Sequence, residues 1–204
     1  MKTKVSLSIL SISNQPISKI NETIKKLEKH VDSLHLDPMD GKFVKNRSIM
    51  FPSFIKKIDT KLRKEAHLMV NNPEKWIPKF KGIVKKIFVH VESCNDIKGC
   101  IKIARKNKLK IYLTIKPKTK VDKVIPYIKK INGIMIMTVE PGKAGQKFMK
   151  EMLKKVIYIR KLDKKIDIYV DGGIDEKTAK LAKDAGANHL VAGSYLLKRG
   201  NNEN

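Results

Sequence analysis

Eight short runs rich in β-forming residues alternate with helix-period segments along the 204 residues of this chain. That alternation confines it to parallel α/β architectures. The strand-like runs are Val5 to Leu10, Ser33 to Asp37, Glu65 to Val70, Lys86 to Val91, Lys110 to Ile115, Gly133 to Val139, Asp167 to Asp171 and Asn188 to Ala192. Between them apolar residues recur at helical spacing: Ile20, Ile24 and Leu27, then Ile97, Ile101 and Ala104, then Val121, Val124, Ile125 and Ile128, then Met152, Val156 and Ile159. Asn95, Thr119 and Asp175 are expected N-caps, and Gly186 stands where the seventh helix should end. The pattern points to an α/β fold, a single (β/α)8 TIM barrel, more than to a doubly wound sheet, although periodicity alone leaves closure open. After the last strand, Tyr195-Leu196-Leu197 are expected to form about one turn, a shortened eighth helix. Such a stub would leave the wall between the first and seventh helices bare, to be covered by a neighbouring subunit or the N-terminal residues. No linker or composition shift divides the chain, so residues 1–204 are expected to be one domain.

With 41% hydrophobic and 32% charged residues, the chain has enough apolar surface for a core, which excludes intrinsic disorder. No apolar run approaches the roughly 18 to 20 residues of a membrane-spanning helix. Cys94 and Cys100 fit neither a disulfide framework nor a CxxC pair, and so few thiols suit a reducing compartment, making the cytoplasm the expected location. Lys2 and Lys4 ahead of Val5 to Leu10 superficially resemble a signal peptide. Ser6 and Ser8 interrupt that run and no small-residue cleavage site follows, so a first strand is expected.

The formal net charge of +25 is the footprint of a polyanion binder. Its make-up argues otherwise: 40 Lys stand against 5 Arg, scattered in pairs such as Lys25-Lys26 and Lys154-Lys155, and aromatics are 6%. Base readout relies on Arg forks and aromatic platforms. A solvated lysine coat is the leading reading, and no specific nucleic acid partner is expected.

In a parallel barrel the chemistry lies at the C-terminal ends of the strands. There the second strand ends His35-Leu36-Asp37, the third carries His67, the fourth His90-Val91-Glu92 and the seventh Asp171-Gly172-Gly173. Side chains alternate along a strand, so His35 and Asp37 point to the same side, toward the interior. His35, Asp37, His67 and Asp171 make an N2O2 donor set suited to one Zn2+ or Fe2+, or to Mn2+ or Co2+. Taken singly, each has a plainer explanation, since a strand-end His is more often a satisfied core residue and Asp171 before two glycines fits a turn. Glycines follow three successive strands, in Pro141-Gly142-Lys143-Ala144-Gly145-Gln146, Gly172-Gly173 and Gly193-Ser194. Backbone N–H groups in such loops cradle phosphate.

At these residues the chain resembles the ribulose-phosphate 3-epimerase family. The signature His-x-Asp-x-Met-Asp-Gly-x-Phe stands as His35 to Phe43, with Ser8-Ile9-Leu10 before it. His67-Leu68-Met69-Val70, Met137-Thr138-Val139-Glu140-Pro141-Gly142, Val170-Asp171-Gly172-Gly173 and Val191-Ala192-Gly193-Ser194 follow in order. The resemblance spans about residues 5 to 195. It implies metal-dependent interconversion of D-ribulose 5-phosphate and D-xylulose 5-phosphate through a cis-enediolate, a step of the pentose phosphate pathway, in a homo-oligomer. It also implies roles: His35, Asp37, His67 and Asp171 as metal ligands, with Asp37 and Asp171 as the acid/base pair on opposite faces of the sugar. Inversion by proton transfer needs two such groups. The resemblance implies that Met39, Met69 and Met137 pack over the reacting centre, although from the sequence alone core filling is the favoured reading of them. Ser8 would sit near the substrate carbonyl, and the three glycine segments would hold the phosphate.

Two positions depart from the family loop Pro-Gly-Phe-Gly-Gly-Gln. Lys143 replaces the aromatic and adds positive charge, while the Cβ of Ala144 is expected to oppose a left-handed conformation there. An identical catalytic set would also serve a sister epimerase acting on a six-carbon ketose phosphate such as D-allulose 6-phosphate. Decarboxylase and hexulose-phosphate synthase barrels fit less well, because Asp37-Pro38-Met39-Asp40 lacks their Asp-x-Lys-x-x-Asp cluster. A non-catalytic basic barrel that binds nucleic acid is the remote alternative.

Overall fold

The computed structural model describes residues 3–202. Eight strands close into a parallel barrel in sequence order. They are β1 (Lys4–Ser8), β2 (Ser33–Leu36), β3 (Arg63–Leu68), β4 (Lys86–His90), β5 (Lys110–Ile115), β6 (Gly133–Met137), β7 (Asp167–Asp171) and β8 (His189–Ala192). Pairing of Leu7 with Ala192 and of Ser8 with His35 closes the ring through β1. Five of the runs expected from the sequence end one or two residues earlier, because the chain leaves the ladder to form the rim.

Period two divides each strand between two environments. Leu34 and Leu36, Ala66 and Leu68, Ile87 and Val89, and Ile168 and Val170 pack outward in the large core beneath the helices. Facing inward, Phe88, Tyr112, Met135, Met137 and Tyr169 form a second apolar cluster. The buried polar residues Ser33, His35, Glu65, His67, His90 and Thr114 share this interior face of their strands. The polar functional set is therefore part of the barrel's own filling.

The helices outside follow the sequence pattern in part. α1 (Ile17–Leu27) buries Ile20, Ile24 and Leu27, and α2 is a single turn at Pro52–Ile55. α3 (Ile97–Lys106) buries Cys100, Ile101 and Ala104, and α4 (Leu153–Leu162) buries Leu153, Val156 and Ile159. The segment carrying Val121, Val124, Ile125 and Ile128 is two 3-10 turns, Val121–Lys123 and Ile125–Lys130, in place of the expected α-helix. Pro126 is the reason: it has no N–H to donate and it disfavours the α conformation of the residue before it. Asp175 caps α5 (Glu176–Asp184) in a reciprocal capping box with Thr178, and Gly186 follows that helix with φ of 107°. Asn95 and Thr119 are not caps. Their polar groups bond Glu74, Asn72 and Glu92, and the cap positions pass to Asp96 and Lys120.

α6 (Ser194–Asn202) is nine residues long, more than the single expected turn. It packs on α1, where Gly200 lies so close to Leu27 that an added Cβ would come within 2.8 Å of Leu27 Cδ2. The wall expected to be bare is thus covered by the chain's own last helix, and the argument for a subunit at that place falls away.

The floor of the barrel is a buried polar layer. Asp167 accepts from Tyr112 Oη at 3.1 Å and Asn188 Nδ2 at 3.1 Å, and lies 3.3 Å from His189 Nε2. Burial opposes the charge on Asp167, but the bond from His189 and the two neutral donors outweigh it and hold the carboxyl at about 2. Its stabilising effect is therefore complete above the ordinary aspartate pKa near 4 and is lost as pH falls toward 2. With the Asp167 side chain 34% exposed, solvent screening reduces the worth of this charge to on the order of 1 kcal/mol. Asp167→Asn is expected to cost about that much at pH 7, and the difference from wild type should shrink between about pH 4 and pH 2. Urea unfolding of both proteins at each pH checks this, and a difference that ignores pH overturns it.

Candidate active site

His35, Asp37, His67 and Asp171 converge at the C-terminal end of the barrel, with their donor atoms within 4.8 Å of one another. His67 Nδ1 lies 3.2 Å from Asp37 Oδ1 and 3.5 Å from Asp171 Oδ2. His35 Nε2 lies 3.7 Å from the same Asp37 oxygen and 3.9 Å from the same Asp171 oxygen. Both imidazoles are fully buried, Asp37 is nearly so, and Asp171 opens to the cavity above.

Hydrogen bonds fix the free face of each imidazole. His35 Nδ1 is 3.0 Å from Glu65 Oε1, so this nitrogen carries the donated proton and Nε2 is left buried without a hydrogen-bond partner. A buried polar atom costs free energy until it is paired. On the other ring, His67 Nε2 meets His90 Nε2 at 2.8 Å, and His90 Nδ1 meets Glu92 Oε2 at 3.2 Å. Burial first, with repulsion from His67 added to it, pushes His90 down to about 4 against the pull of Glu92. A neutral His90 that donates through Nδ1 to Glu92 can only accept at Nε2. His67 therefore donates from Nε2 and turns Nδ1, which can hold either a proton or a cation, toward the two aspartates.

The electrostatics favour positive charge among these groups. Burial opposes a charged His35, yet the bond to Glu65 and the fields of Asp37 and Asp171 raise it to about 9. His67 is likewise raised against its burial by its bonds to Asp171 and Asp37. For Asp37 burial opposes ionisation, but His67, His35 and the Ser8 hydroxyl, which donates to Oδ2 at 2.9 Å, hold its pKa below the ordinary value. Two convergent imidazole lone pairs and two carboxylates, one imidazole nitrogen having no other partner, fit a divalent cation of the borderline class.

Over the cluster lies a cavity of about 320 Å³, within the range of small-ligand sites. Ser8, Asp37, His67, Met69, Met137 and Asp171 line its inner part; Gly142, Lys143, Ala144, Gly145, Gln146, Gly172, Gly173, Gly193 and Ser194 line the outer part. Met39 does not line it. It packs with Val44 and Met69 behind the wall, because it pairs with Met69 just past the ends of β2 and β3. Ala144 needs no left-handed backbone: Gly142 and Gly145 take the positive φ values of that loop, and the strain expected at position 144 is absent. The Gln146 amide is spent inside the loop, donating to Glu140 O at 2.6 Å and Lys143 O at 2.8 Å.

Beyond the residues expected from the sequence, Glu65 and His90 serve as partners of the two imidazoles, and Tyr195 and Lys198 line the cavity from α6. Glu65 had a signal, since it lies two residues before His67 on the same face. The α6 residues had none while that helix was expected to be a stub.

Gly173 closes the outer part of the cavity. At φ of 66°, a Cβ on it would lie 2.7 Å from Phe148 N and 2.9 Å from Phe148 Cα, backbone atoms that cannot swing aside. Gly82, at φ of 75°, has nothing within 4 Å. Gly173→Ala is expected to lower stability by about 1–3 kcal/mol and by more than Gly82→Ala. Denaturant midpoints of the two variants compare them directly, and equal shifts would show that the Phe148 backbone gives way freely.

A parallel eight-stranded barrel with ionisable groups gathered under a cavity at its C-terminal face defines an enzyme of the TIM-barrel class. Solved structures agree on the fold: a 3-hexulose-6-phosphate synthase (TM-score 0.68, 17% identity, covering 97% of this chain and 96% of that one) and a Pyrococcus furiosus tryptophan synthase α-subunit variant (TM-score 0.68, 14% identity, 97% and 91%). The Ribulose-phosphate 3 epimerase family model matches residues 4–197. Ribulose-phosphate 3-epimerase of Schizosaccharomyces pombe is 36% identical over 203 residues, covering 97% of this chain and 88% of the relative. That of Bacillus subtilis is 34% identical over 202 residues, covering 95% and 91%. The chain belongs to the ribulose-phosphate 3-epimerase family and is an isomerase. Among the described residues no helix is long and apolar enough to cross a membrane.

Proposed function

We propose that the chain inverts C3 of a pentulose phosphate, interconverting D-ribulose 5-phosphate and D-xylulose 5-phosphate. The observation that carries this reading is the convergence of Asp37 and Asp171 on His67 Nδ1, at the inner end of a cavity whose outer end is lined by the glycine-bearing loops after β6, β7 and β8. Family membership supports the same substrate.

Asp37 and Asp171 act as the two proton carriers, one removing the C3 proton and the other returning one to the opposite face. Ser8 holds Asp37 through the bond to Oδ2, which fixes the direction of the other oxygen. Met69 and Met137 line the cavity beside the cluster and keep water from the reacting carbon. The N-terminus of α6 at Ser194, with Gly172 and Gly173, receives the phosphate, and Lys143 and Lys198 supply positive charge at the same end. His35 Nε2, His67 Nδ1 and one oxygen each of Asp37 and Asp171 would hold a divalent ion. When bound, that ion supplies fixed positive charge beside the negative charge that develops on the enediolate. The exposed Ile157, Tyr158 and Leu162 of α4 support a homo-oligomer, and a single-chain mass in sedimentation would remove that part of the reading.

The decisive experiment follows epimerisation of D-ribulose 5-phosphate and exchange of the C3 hydrogen in deuterated water. Wild type supplied with a divalent ion should do both. Asp37→Asn and Asp171→Asn should each fall by about 10²–10⁴-fold or more. Chelation should abolish turnover, and adding back one ion per chain should restore it. Wild type that exchanges nothing overturns the five-carbon reading, and exchange on D-allulose 6-phosphate would then assign the sister reaction. Full activity after exhaustive chelation removes the ion from the mechanism.

A further inference from the structure

Outside the cluster described above, three side chains from two neighbouring loops meet around a common point. Glu74 lies in a 3-10 turn, Pro73–Lys75, that follows β3, Cys94 lies between β4 and α3, and Cys100 lies in the first turn of α3. The two sulfurs are 3.2 Å apart, and both lie within 4.8 Å of a Glu74 carboxylate oxygen. Glu74 is held from one side only. Its Oε1 accepts the backbone N–H of Asn95 at 2.9 Å and of Asp96 at 3.2 Å, whereas Oε2 is buried with no hydrogen-bond partner.

We propose that Glu74, Cys94 and Cys100 form a second cation site, for a thiophilic divalent ion of the Zn2+ class, with water as the remaining ligand. The donor set S2O is softer than the His/Asp cluster and suits such an ion. Geometry favours it over a disulfide. Zn–S bonds of about 2.3 Å at a tetrahedral angle place two sulfurs about 3.8 Å apart, so the pair at 3.2 Å needs to open by only about 0.6 Å. A disulfide at about 2.05 Å requires the pair to close by more than 1 Å, and it would leave Glu74 Oε2 buried and unpaired. The cation satisfies that oxygen as well as the sulfurs.

Its binding displaces two thiol protons to solvent. Contact with Cys94, followed by burial and with Glu74 adding to it, pushes the Cys100 thiol far above the ordinary range. Two thiolates, one carboxylate and a divalent ion leave a net single negative charge. Lys98, Lys118, Lys120 and Lys123 border the adjoining groove, through which Cys94 is reached, and offset that charge. A filled site would tie the loop after β3 to the loop after β4.

The test titrates the reduced full-length protein with Cd2+ alone and reads the ultraviolet charge-transfer band of cadmium thiolate. The His/Asp cluster cannot give this band, and Cys94 and Cys100 are the chain's only two cysteines. The band should saturate by two equivalents, one for each cation site, and should be suppressed by a large excess of Zn2+. It should vanish in Cys94→Ser and in Cys100→Ser, and Glu74→Gln should weaken binding at least about tenfold. A folded wild type that gives no band overturns the site, and so does Glu74→Gln binding as tightly as wild type. If the serine variants do not fold, alkylation of the wild-type thiols by iodoacetamide decides. Zn2+ should slow it at least about tenfold, and unchanged alkylation overturns the proposal.

Discussion

Glu65 is buried in the barrel interior, and its two oxygens are divided between the residues above and below it. Oε1 holds His35 at 3.0 Å, while Oε2 accepts from Lys86 Nζ at 3.1 Å and lies 3.3 Å from Ser33 Oγ. Burial opposes its charge, and the bond and field of His35, with Lys86, overcome that to keep the carboxyl at about 2. An ionised carboxylate in this setting is tolerable only while every partner is present; removing one partner of a buried pair costs about 3–5 kcal/mol. Lys86 is in turn bonded to the Tyr169 hydroxyl, and the Tyr169 ring stacks on His189 of the floor. The orientation of His35 depends on Glu65 keeping these partners.

Much of this was legible because the barrel translates sequence period into side. In β2, Ser33, His35 and then Asp37 alternate with Leu34 and Leu36, and that pattern alone places the functional residues inside and the leucines beneath helices. Strand order follows the sequence, each strand pairing with its neighbours, but the closure of β8 on β1 is a pairing that periodicity leaves open. What stayed hidden were meetings between strands. Nothing in a linear reading says that Glu65 Oε1 reaches His35 while Lys86, one strand on, takes Oε2. Register supplies this: His35 pairs with Glu65, and Glu65 with Lys86, across adjacent strands. The misreadings have local causes. Pro126 interrupts an apolar pattern that is otherwise helical. Gly200, a poor helix residue on propensity, is admitted because it lets α6 approach Leu27 closely.

The charge distribution gains a sense once inside and outside are separated. The 40 lysines lie along the chain's whole length, while Asp37, Glu65, Asp167 and Asp171 are turned into the barrel and neutralised there by imidazole, ammonium and hydroxyl groups. The outer field is therefore positive with little internal compensation. For a doubly charged phosphate ester such a field raises the encounter rate, strongly at low salt and less at physiological ionic strength, where screening acts over about 8 Å. It selects for anionic ligands in general. Selection among them falls to the cavity, whose volume suits a small ligand.

Two donor sets at the same end of one barrel compete for the same ions unless their chemistry differs. The intrinsic order of divalent affinities would fill any nitrogen, oxygen or sulfur site with the same few metals, so discrimination comes from ligand type and geometry. The His35–Asp37–His67–Asp171 set is hard to borderline, carries its negative charge ready-made on two aspartates, and opens toward the cavity through Asp171. It can take an ion without losing thiol protons and still leave room for a ligand. The Glu74–Cys94–Cys100 set is soft and must shed two protons to bind. It lies outside the cavity, so an ion there has loops to join but no substrate to meet. The first set opens to the cavity, where an ion would meet a ligand, and the second can only join neighbouring loops. The first is built from side chains at the inner ends of β2, β3 and β7, the second from the turn after β3 and the segment that leads from β4 into α3.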